Sequence, residues 1–180
     1  MQGVQWMKVK LLPHDDKWHE EFERTKQLIC RVWGDTVVDV QHVGSTSIRS
    51  ISAKPILDVA VVLRSFADMD VEALKNEGYR YMGARTESGD RQLFTMYTTR
   101  DGVEDVALEH IHCYEPGNAD FAALVGFRDY LNAHPEAARE YEEIKRRLAE
   151  VHPDDRFAYS EGKRRFIERI NAEVLRNGVD

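Results

Sequence analysis

The sequence predicts an α/β (α+β) domain in which a mixed β-sheet is flanked by helices and the C-terminal helices pack alongside. Strand-like apolar patterns occur in several segments before residue 115, whereas the pattern after residue 118 is helical. Strands and helices alternate in the first half of the chain, which is typical of a sheet covered by helices. The 180 residues suffice for one hydrophobic core, so we expect a single domain over residues 1–180.

Composition narrows the classes of function. The formal net charge of −7 is spread along the chain, which disfavours nonspecific nucleic-acid binding but allows a local anion site. No apolar stretch reaches the length of a membrane span, and the N-terminal residues lack the apolar core of a signal peptide. Cys30 and Cys113 are too few for a disulfide framework and are expected to be buried free thiols. We therefore expect a cytoplasmic protein with neither a nucleic-acid nor a membrane partner.

The first half of the chain begins with an amphipathic helix. Asp15 or Asp16 can cap it, and Gly34 ends it. Its predicted buried face consists of Trp18, Phe22, Thr25, Ile29 and Val32. The segments that follow are predicted as a strand over 36–43, a short helix over 45–51, an interior strand over 55–63 and a helix over 68–78 starting at Asp68.

The second half is predicted as a hairpin followed by three helices. Strands over 92–98 and 103–114 are joined by a turn at Asp101-Gly102. Two helices follow over 121–132 and 135–150, and a third is capped at Ser160 and stops at Gly178. The residues predicted to face inward on the last two helices are Ala137, Tyr141, Ile144, Leu148, Val151, Phe166, Ile167, Ile170 and Val174.

The strand over 36–43 ends at Gly44, which is followed by the hydroxyl residues Ser45, Thr46 and Ser47. A glycine lets a ligand approach the backbone closely. Hydroxyl groups and the free N–H groups at the start of a helix are suitable donors to phosphate. A plain helix cap has the same pattern, so this segment alone leaves both interpretations open.

Asp58 interrupts the apolar run over 55–63, where an unpaired carboxylate is costly to bury. It could form a salt bridge, for example with Lys54, or it could bind a hard cation such as Mg²⁺. Only a short connection separates the two predicted strands, so Asp58 can lie beside Gly44 and Ser45. This proximity favours the ligand-binding interpretation.

A third feature is the pair His110 and His112, which the strand period places on one face, with Glu109 on the other. Two such imidazoles can chelate one metal, and His42 from a neighbouring strand could join them. Alternatively, they bond to the backbone within a polar layer. Histidine ligands would favour Zn²⁺, Mn²⁺ or Ni²⁺ over Mg²⁺.

Basic residues that could neutralise a phosphate are spread along the chain. Any one of them could instead be a solvated surface charge, although arginine forks suit phosphate oxygens well. The charges from Glu140 to Arg147 have the spacing of an exposed helix face. The candidates are Lys54, Arg91, Arg128, Lys145 and Lys163.

Several motifs, in order, resemble those of the GrpB family. They are HVGSTSI at 42–48, AKPILDV at 53–59, FRDYL at 127–131, HPE at 134–136, and Tyr141, Lys145, Tyr159, Lys163, Phe166 and Ile167. The resemblance spans nearly the whole chain and implies the nucleotidyltransferase superfamily fold. It also implies that Gly44-Ser45 is a phosphate-binding turn and that Asp58 is the first of a metal-binding carboxylate pair.

This sequence departs from the family's pattern in two places. Ala60 occupies the position where active members of the superfamily carry a second carboxylate, on the same face of the strand as Asp58. Arg49-Ser50 replaces a Pro-Gly pair that is common in the family. The first departure puts two-metal catalysis in doubt. A single metal would then need further ligands from the later strand, at Glu109, His110 or His112.

The candidate site combines these residues. Metal binding is assigned to Asp58, His110 and His112, and a catalytic role to these three together with Lys54. The expected cofactor is a divalent metal, Mg²⁺ or Mn²⁺ with Zn²⁺ as an alternative, and the expected substrate is an NTP. Ligand binding is assigned to His42, Gly44, Ser45, Thr46, Ser47, Arg128 and Lys163.

Three functions are compatible with such a site. The leading hypothesis is a nucleotidyltransferase-like protein that binds a nucleotide or another phosphate-bearing ligand and transfers a nucleotidyl group to a small acceptor. The first alternative is a catalytically inactive module that binds an anion, or a partner through the helix face around Phe127 and Tyr130. The second is a metal-dependent phosphoester hydrolase that uses His110 and His112. A homodimer is compatible with all three.

Overall fold

The computed structural model describes residues 9–100 and 103–177, and five strands in this part form one sheet in the order β1-β2-β5-β4-β3. The strands are β1 (Val37–Val43), β2 (Leu57–Leu63), β3 (Arg80–Ala84), β4 (Gln92–Arg100) and β5 (Val103–Tyr114). The helices are α1 (Lys17–Trp33), α2 (Val71–Asn76), α3 (Ala119–Ala133), α4 (Pro135–Val151), α5 (Arg156–Gly162) and α6 (Arg164–Asn177). The predicted turn at Asp101-Gly102 and the helix end at Gly178 lie outside the described residues.

The sheet is mixed, as the sequence predicts. Strand β2 runs antiparallel to β1 and parallel to β5, while β4 is antiparallel to both β5 and β3. Because β2 is paired on both edges, its backbone is satisfied within the sheet. This position explains its nearly continuous apolar sequence.

Helix α1 covers one face of the sheet. Its predicted buried residues are confirmed except for Val32, which is partly buried, and Trp33 adds a further buried ring. Gly34 ends the helix with a φ of 52°, a left-handed conformation that suits glycine. The side of the sheet that α1 covers is called the α1 face from here on. The core between α1 and this face contains Phe22, Ile29, Trp33, Leu57, Val59, Val61, Leu63, Phe94 and Ile111.

The C-terminal helices pack against the other face of the sheet, from here on the cavity face. Asp58 and Ala60 lie on this face because they alternate with the core residues of β2. Near the sheet, Val43, Ala60 and Tyr114 pack against apolar side chains of α3. A second cluster joins the connection between β1 and β2 to the helices and consists of Ile48, Ile51, Leu131, Ala137, Ala138, Tyr141, Phe166 and Ile170.

Three local predictions were wrong, and one strand was missed. The helix predicted over 45–51 is only a 3-10 turn over Ser45–Ser47. The helix predicted from Asp68 starts later, at Val71, because the Asp70 carboxylate accepts the Ala73 N–H and caps it. Strand β3 was not predicted, since its five residues are too few to show a clear strand period. Ser160 lies inside α5, which is capped instead by Asp155.

Burial also differs from the sequence prediction at several positions. Cys113 is buried, but Cys30 is exposed. Val151 is 63% exposed because it is the last residue of α4. Lys145, expected on an exposed face, is 1% exposed and donates to the Ser52 carbonyl, next to the carboxylate of Glu142.

Among the helices of the described ranges, none is both long and apolar enough to cross a bilayer.

Candidate functional site

A cavity of about 470 Å³ lies between the cavity face of the sheet and the C-terminal helices. Its volume is in the range typical of small-molecule sites. The sheet and its connections contribute Gly44, Ser45, Lys54, Ile56, Asp58, Arg91, His110 and Tyr114, and the helical half contributes Asp120, Ala123, Leu124, Phe127, Tyr141, Tyr159, Lys163, Ile167 and Asn171.

The glycine turn lies directly against Asp58. Val43 pairs with Asp58 across the antiparallel strands, so Gly44 follows at the level of the carboxylate. Gly44 has a φ of 71°, and a Cβ atom built on it would lie 2.5 Å from Asp58 Oδ2. Only glycine fits here for both reasons. The proximity of the turn and the carboxylate that the sequence predicts is therefore present.

Asp58 also contacts the two histidines of β5. His110 lies opposite Asp58 in the parallel pairing, and its Nδ1 is 3.2 Å from Asp58 Oδ1. His112 Nε2 is 3.3 Å from the same oxygen. Burial alone would raise the pKa of Asp58, but hydrogen bonds from His110 and His112 outweigh it and hold this pKa well below its usual range. The carboxylate therefore remains ionised beside the histidines.

The three side chains form a chelating set. One donor atom from each of Asp58, His110 and His112 can be chosen so that all three atoms lie within 4.8 Å of one another. Donors bound to one tetrahedral Zn²⁺ are separated by about 3.3–3.5 Å, close to the measured carboxylate–imidazole distances. One oxygen and two imidazole donors suit a borderline cation such as Zn²⁺ or Mn²⁺ better than Mg²⁺. The donor set thus fits a divalent metal.

Two lysines lie on the cavity wall around the buried ring of Tyr159. Lys54 Nζ and Lys163 Nζ are 5.4 Å and 4.6 Å from its centroid, within cation–π range. Burial lowers the pKa of Lys54, and burial together with the charges of Lys54 and Lys145 lowers the pKa of Lys163 to about 8. The salt bridge considered between Lys54 and Asp58 is not formed, since Asp58 pairs with the histidines.

Of the three hydroxyl residues of the turn, only Ser45 lines the cavity, and Thr46 and Ser47 bond to other groups. Ser45 is on the cavity wall, whereas Ser47 Oγ donates to the Gly44 carbonyl at 2.6 Å. Thr46 Oγ1 lies 2.9 Å from His42 Nε2. His42 stacks on Phe22 of α1, and burial lowers the pKa of its imidazole to about 4. His42 is thus a neutral support behind the turn and does not join the histidines of β5.

The other basic candidates have different positions. Arg128 Nη1 donates to the Gln41 side chain and to the His42 carbonyl, both at 2.8 Å, and it is not on the cavity wall. Lys145 is held by Ser52 and Glu142, as described above. Arg91 does line the cavity. Of the five basic candidates, Lys54, Lys163 and Arg91 therefore line the cavity, and the two lysines lie on either side of one ring, that of Tyr159.

Two residues named in the sequence hypotheses lie outside the roles considered for them. Glu109 is on the α1 face, as the strand period predicts, and its carboxylate accepts from the hydroxyls of Thr25 and Tyr79, so it cannot complete the chelating set. Phe127, which the partner-binding alternative used, lines the cavity and packs edge-on against Tyr141 with centroids 5.3 Å apart. Ala60 is fully buried against Val43 and Tyr114, and no second carboxylate occupies its place.

Sequence reasoning missed three polar residues of the cavity. Tyr114, Asp120 and Asn171 line it, but none of them was singled out. Tyr114 follows His110 and His112 at the same strand period, and this pattern could have identified it. Asp120 and Asn171 are on two different helices, and no local pattern relates them.

Comparison with known proteins gives the context of this site. The family described as GrpB protein matches residues 8–173. Glutamate-rich protein GrpB of Alkalihalophilus pseudofirmus is 35% identical over 178 residues, covering 97% of this chain and 100% of that protein. The crystal structure of GrpB from Enterococcus faecalis has a TM-score of 0.85 at 28% identity, covering 95% of this chain and 100% of that chain.

A more distant likeness concerns the fold alone. Cid1 poly(U) polymerase, in a structure with Mg 3′-dATP bound, has a TM-score of 0.54 at 9% identity, covering 84% of this chain and 49% of that chain. The core is thus nucleotidyltransferase-like, as the sequence predicts. Because the family match extends over nearly all of the sequence, this chain belongs to the GrpB family.

Proposed function

We propose that this protein binds a nucleotide together with a divalent metal and transfers the nucleotidyl group to a small acceptor. The observation that carries the proposal is the position of Asp58, whose carboxylate contacts the glycine turn on one side and both histidines on the other. In this proposal, a metal ligand lies next to a phosphate-binding turn. The nucleotidyltransferase-like fold supports the same interpretation, since Cid1 is itself a polymerase.

Different residues would bind the metal and the phosphates of the ligand. Asp58, His110 and His112 would hold the metal, for which Mn²⁺ and Zn²⁺ fit the donors better than Mg²⁺. When bound, such an ion would neutralise phosphate charge and orient the phosphates. Lys54 and Lys163 supply further positive charge on the cavity wall, and Ser45 supplies a hydroxyl donor beside the turn.

The proposed reaction is the displacement of pyrophosphate from an NTP. The acceptor hydroxyl oxygen forms a bond to the α-phosphorus, the bond from this phosphorus to the bridging oxygen breaks, and pyrophosphate and one proton are released. The turn and the lysines hold the triphosphate in place for in-line attack. With Ala60 in place of a second carboxylate, the site is suited to a single metal.

The test is the substitution Asp58→Ala in the full chain. Calorimetry with Mn²⁺ and a non-hydrolysable ATP analogue should detect binding to the unsubstituted protein and none to the variant. Asp68→Ala is the matched control, because Asp68 is an exposed carboxylate in a turn remote from the cavity. Equal binding by both variants would sink the proposal.

The two alternatives predict different products. A phosphoester hydrolase would use water as the only acceptor, so an NTP would give a nucleoside diphosphate with inorganic phosphate, or a nucleoside monophosphate with pyrophosphate, and no acceptor adduct. The histidine pair supports this alternative. An inactive module would bind the analogue and turn over nothing. Product analysis of a panel of NTPs with hydroxyl-bearing acceptors separates the three, because only nucleotidyl transfer yields pyrophosphate and an acceptor adduct.

A further inference from the structure

Lys54 lies on the connection between β1 and β2, in a segment that is neither helix nor strand. It lines the cavity, and its Nζ atom is 5.4 Å from the centroid of the Tyr159 ring. Side chains on irregular segments are placed less accurately than those on helices and strands, so a binding residue there needs support from its surroundings. The residues just before Lys54 show what provides this support.

One turn of α4 satisfies all the polar groups of Ser52. The Glu142 carboxylate accepts from Ser52 N at 3.0 Å and also from the Ser52 hydroxyl. The Lys145 ammonium donates to the Ser52 carbonyl. Glu142 and Lys145 are three residues apart on the helix, hence on the same side of it, and their charged groups are 3.4 Å apart. The helix thus holds the connection through an ion pair.

The residues that follow Ser52 are fixed as well. Ala53 pairs with Leu12 through both of its backbone groups, at 2.9 and 2.8 Å, and the Lys54 carbonyl accepts from Ile56 N at 2.7 Å. Successive Cα atoms are about 3.8 Å apart, so the Lys54 backbone lies within about 8 Å of Ser52. Its position therefore depends on two anchors, Leu12 at Ala53 and α4 at Ser52.

The ion pair at Ser52 is an expensive way to stabilise a fold. Lys145 is 1% exposed, and burial lowers the pKa of its ammonium to about 8 although the Glu142 charge acts in the opposite direction. Removing an ion pair from water offsets most of its Coulomb attraction, so a buried pair contributes little net stability. A pair that orders a binding segment has a different benefit, because it fixes the geometry before the ligand arrives.

We propose that Lys145 and Glu142 are positioning residues that hold Lys54 where it binds the phosphates of the ligand. This inference rests on the proposed function, since it requires Lys54 to contact a phosphate. Neither Lys145 nor Glu142 lines the cavity, so both act through Ser52. Without them the connection would have to be ordered when the ligand binds, and the affinity would fall by that cost.

The experiment is a double-mutant cycle between Lys54→Met and Lys145→Met in the full chain. Calorimetry measures the affinity of each variant for Mn²⁺ alone and for a non-hydrolysable ATP analogue with Mn²⁺. Lys54→Met should weaken binding of the analogue about tenfold, because it removes a charged contact. Lys145→Met should weaken it about threefold or more, and the double variant should bind as Lys54→Met does. Affinity for Mn²⁺ alone should be the same in all variants, since the chelating set is on β2 and β5.

The matched control is Arg147→Met. Arg147 is an exposed residue of the same helix, and the substitution likewise replaces a cation by methionine. It should leave the affinity for the analogue unchanged, both alone and combined with Lys54→Met. Glu142→Gln is a second variant in case Lys145→Met does not fold, because the amide has the size of the carboxylate and keeps one acceptor. Its loss of affinity should also disappear in the presence of Lys54→Met.

Several results would overturn the inference. If the losses in Lys54→Met and Lys145→Met added up in the double variant, Lys145 would not act through Lys54. Unchanged affinity in either single variant would contradict the inference as well, and so would a parallel loss of Mn²⁺ binding in Lys145→Met, because the whole site would then be disturbed. These results leave the proposed function standing. If the unsubstituted protein does not bind the analogue with Mn²⁺, the proposed function fails and the inference fails with it.

Discussion

The two faces of the β-sheet differ in how they treat polar groups. On the α1 face, Glu109 is a partly buried carboxylate that accepts from the hydroxyls of Thr25 and Tyr79. On the cavity face, His112 Nδ1 is buried and has no hydrogen-bond partner among the described residues. Both faces are built from the same strands. The carboxylate of the α1 face is therefore satisfied within the protein, whereas the cavity face retains an unpaired imidazole nitrogen.

Strand β5 contains this contrast within three consecutive residues. His110 and His112 lie on the cavity face, and Ile111 between them is fully buried in the core beneath α1. Core packing and the proposed metal binding thus fall on alternate side chains. Substitutions one position apart should therefore affect different properties, the stability of the fold at Ile111 and metal affinity at His110 or His112.

The largest expected effect is that of Ile111→Ala. It should lower the free energy of unfolding by about 2–5 kcal/mol, because it opens a cavity in the core. Urea unfolding of this variant and of His112→Ala checks the contrast. His112→Ala should lose at least about tenfold in Mn²⁺ affinity with a much smaller loss of stability. If His112→Ala destabilised the protein as much as Ile111→Ala, the division between the faces would be wrong.

Gly44→Ala should have the next largest effect, at the cavity face alone. The left-handed backbone and the contact with Asp58 Oδ2 predict a loss of about 1–3 kcal/mol in stability. Because the new methyl group displaces the carboxylate, Mn²⁺ binding should weaken in the same variant. Calorimetry with Mn²⁺ measures this. Gly89→Ala is the control, since Gly89 also has a positive φ, of 72°, but no atom near its Cβ position.

The smallest effect concerns pH. The pKa of Lys163 is about 8 in the folded protein, lowered from 10.5. Between these values the unfolded chain holds a proton that the folded protein has released, so stability should rise with pH from about 8 to 10. Urea midpoints measured across this range should rise less steeply in Lys163→Met. Equal slopes would contradict the lowered pKa.

Strands β1, β2, β4 and β5 and helices α1, α3 and α4 could be predicted because their periods or caps are local in sequence. The adjacency of Gly44 and Asp58 was predictable for a related reason, since a short connection joins two neighbouring strands. The chelating set followed once the parallel pairing of β2 and β5 placed His110 opposite Asp58. That pairing was not itself readable from the sequence.

The rest of the site depends on tertiary packing. Nothing local distinguishes Lys163, which lines the cavity, from Lys145, which is buried against Ser52 and Glu142. Arg128 is part of a matched motif, yet its guanidinium donates a hydrogen bond to the His42 carbonyl of β1 and does not line the cavity. The cavity wall combines residues of α3 and α6 with residues of β5, three elements that are far apart in the sequence.

The connection between β1 and β2 is attached to the helical half at several points. The Asn132 amide donates to the Ser47 carbonyl and accepts from Arg49 N, and Glu142 accepts from Ser52 N. Arg128 secures the strand just before the turn. The glycine turn is therefore not a property of the sheet alone. A fragment that ends after β5 would keep the strands and helix of the core beneath α1 but lose the hydrogen bonds that hold the connection between β1 and β2, so the conformation of the turn depends on both halves of the chain.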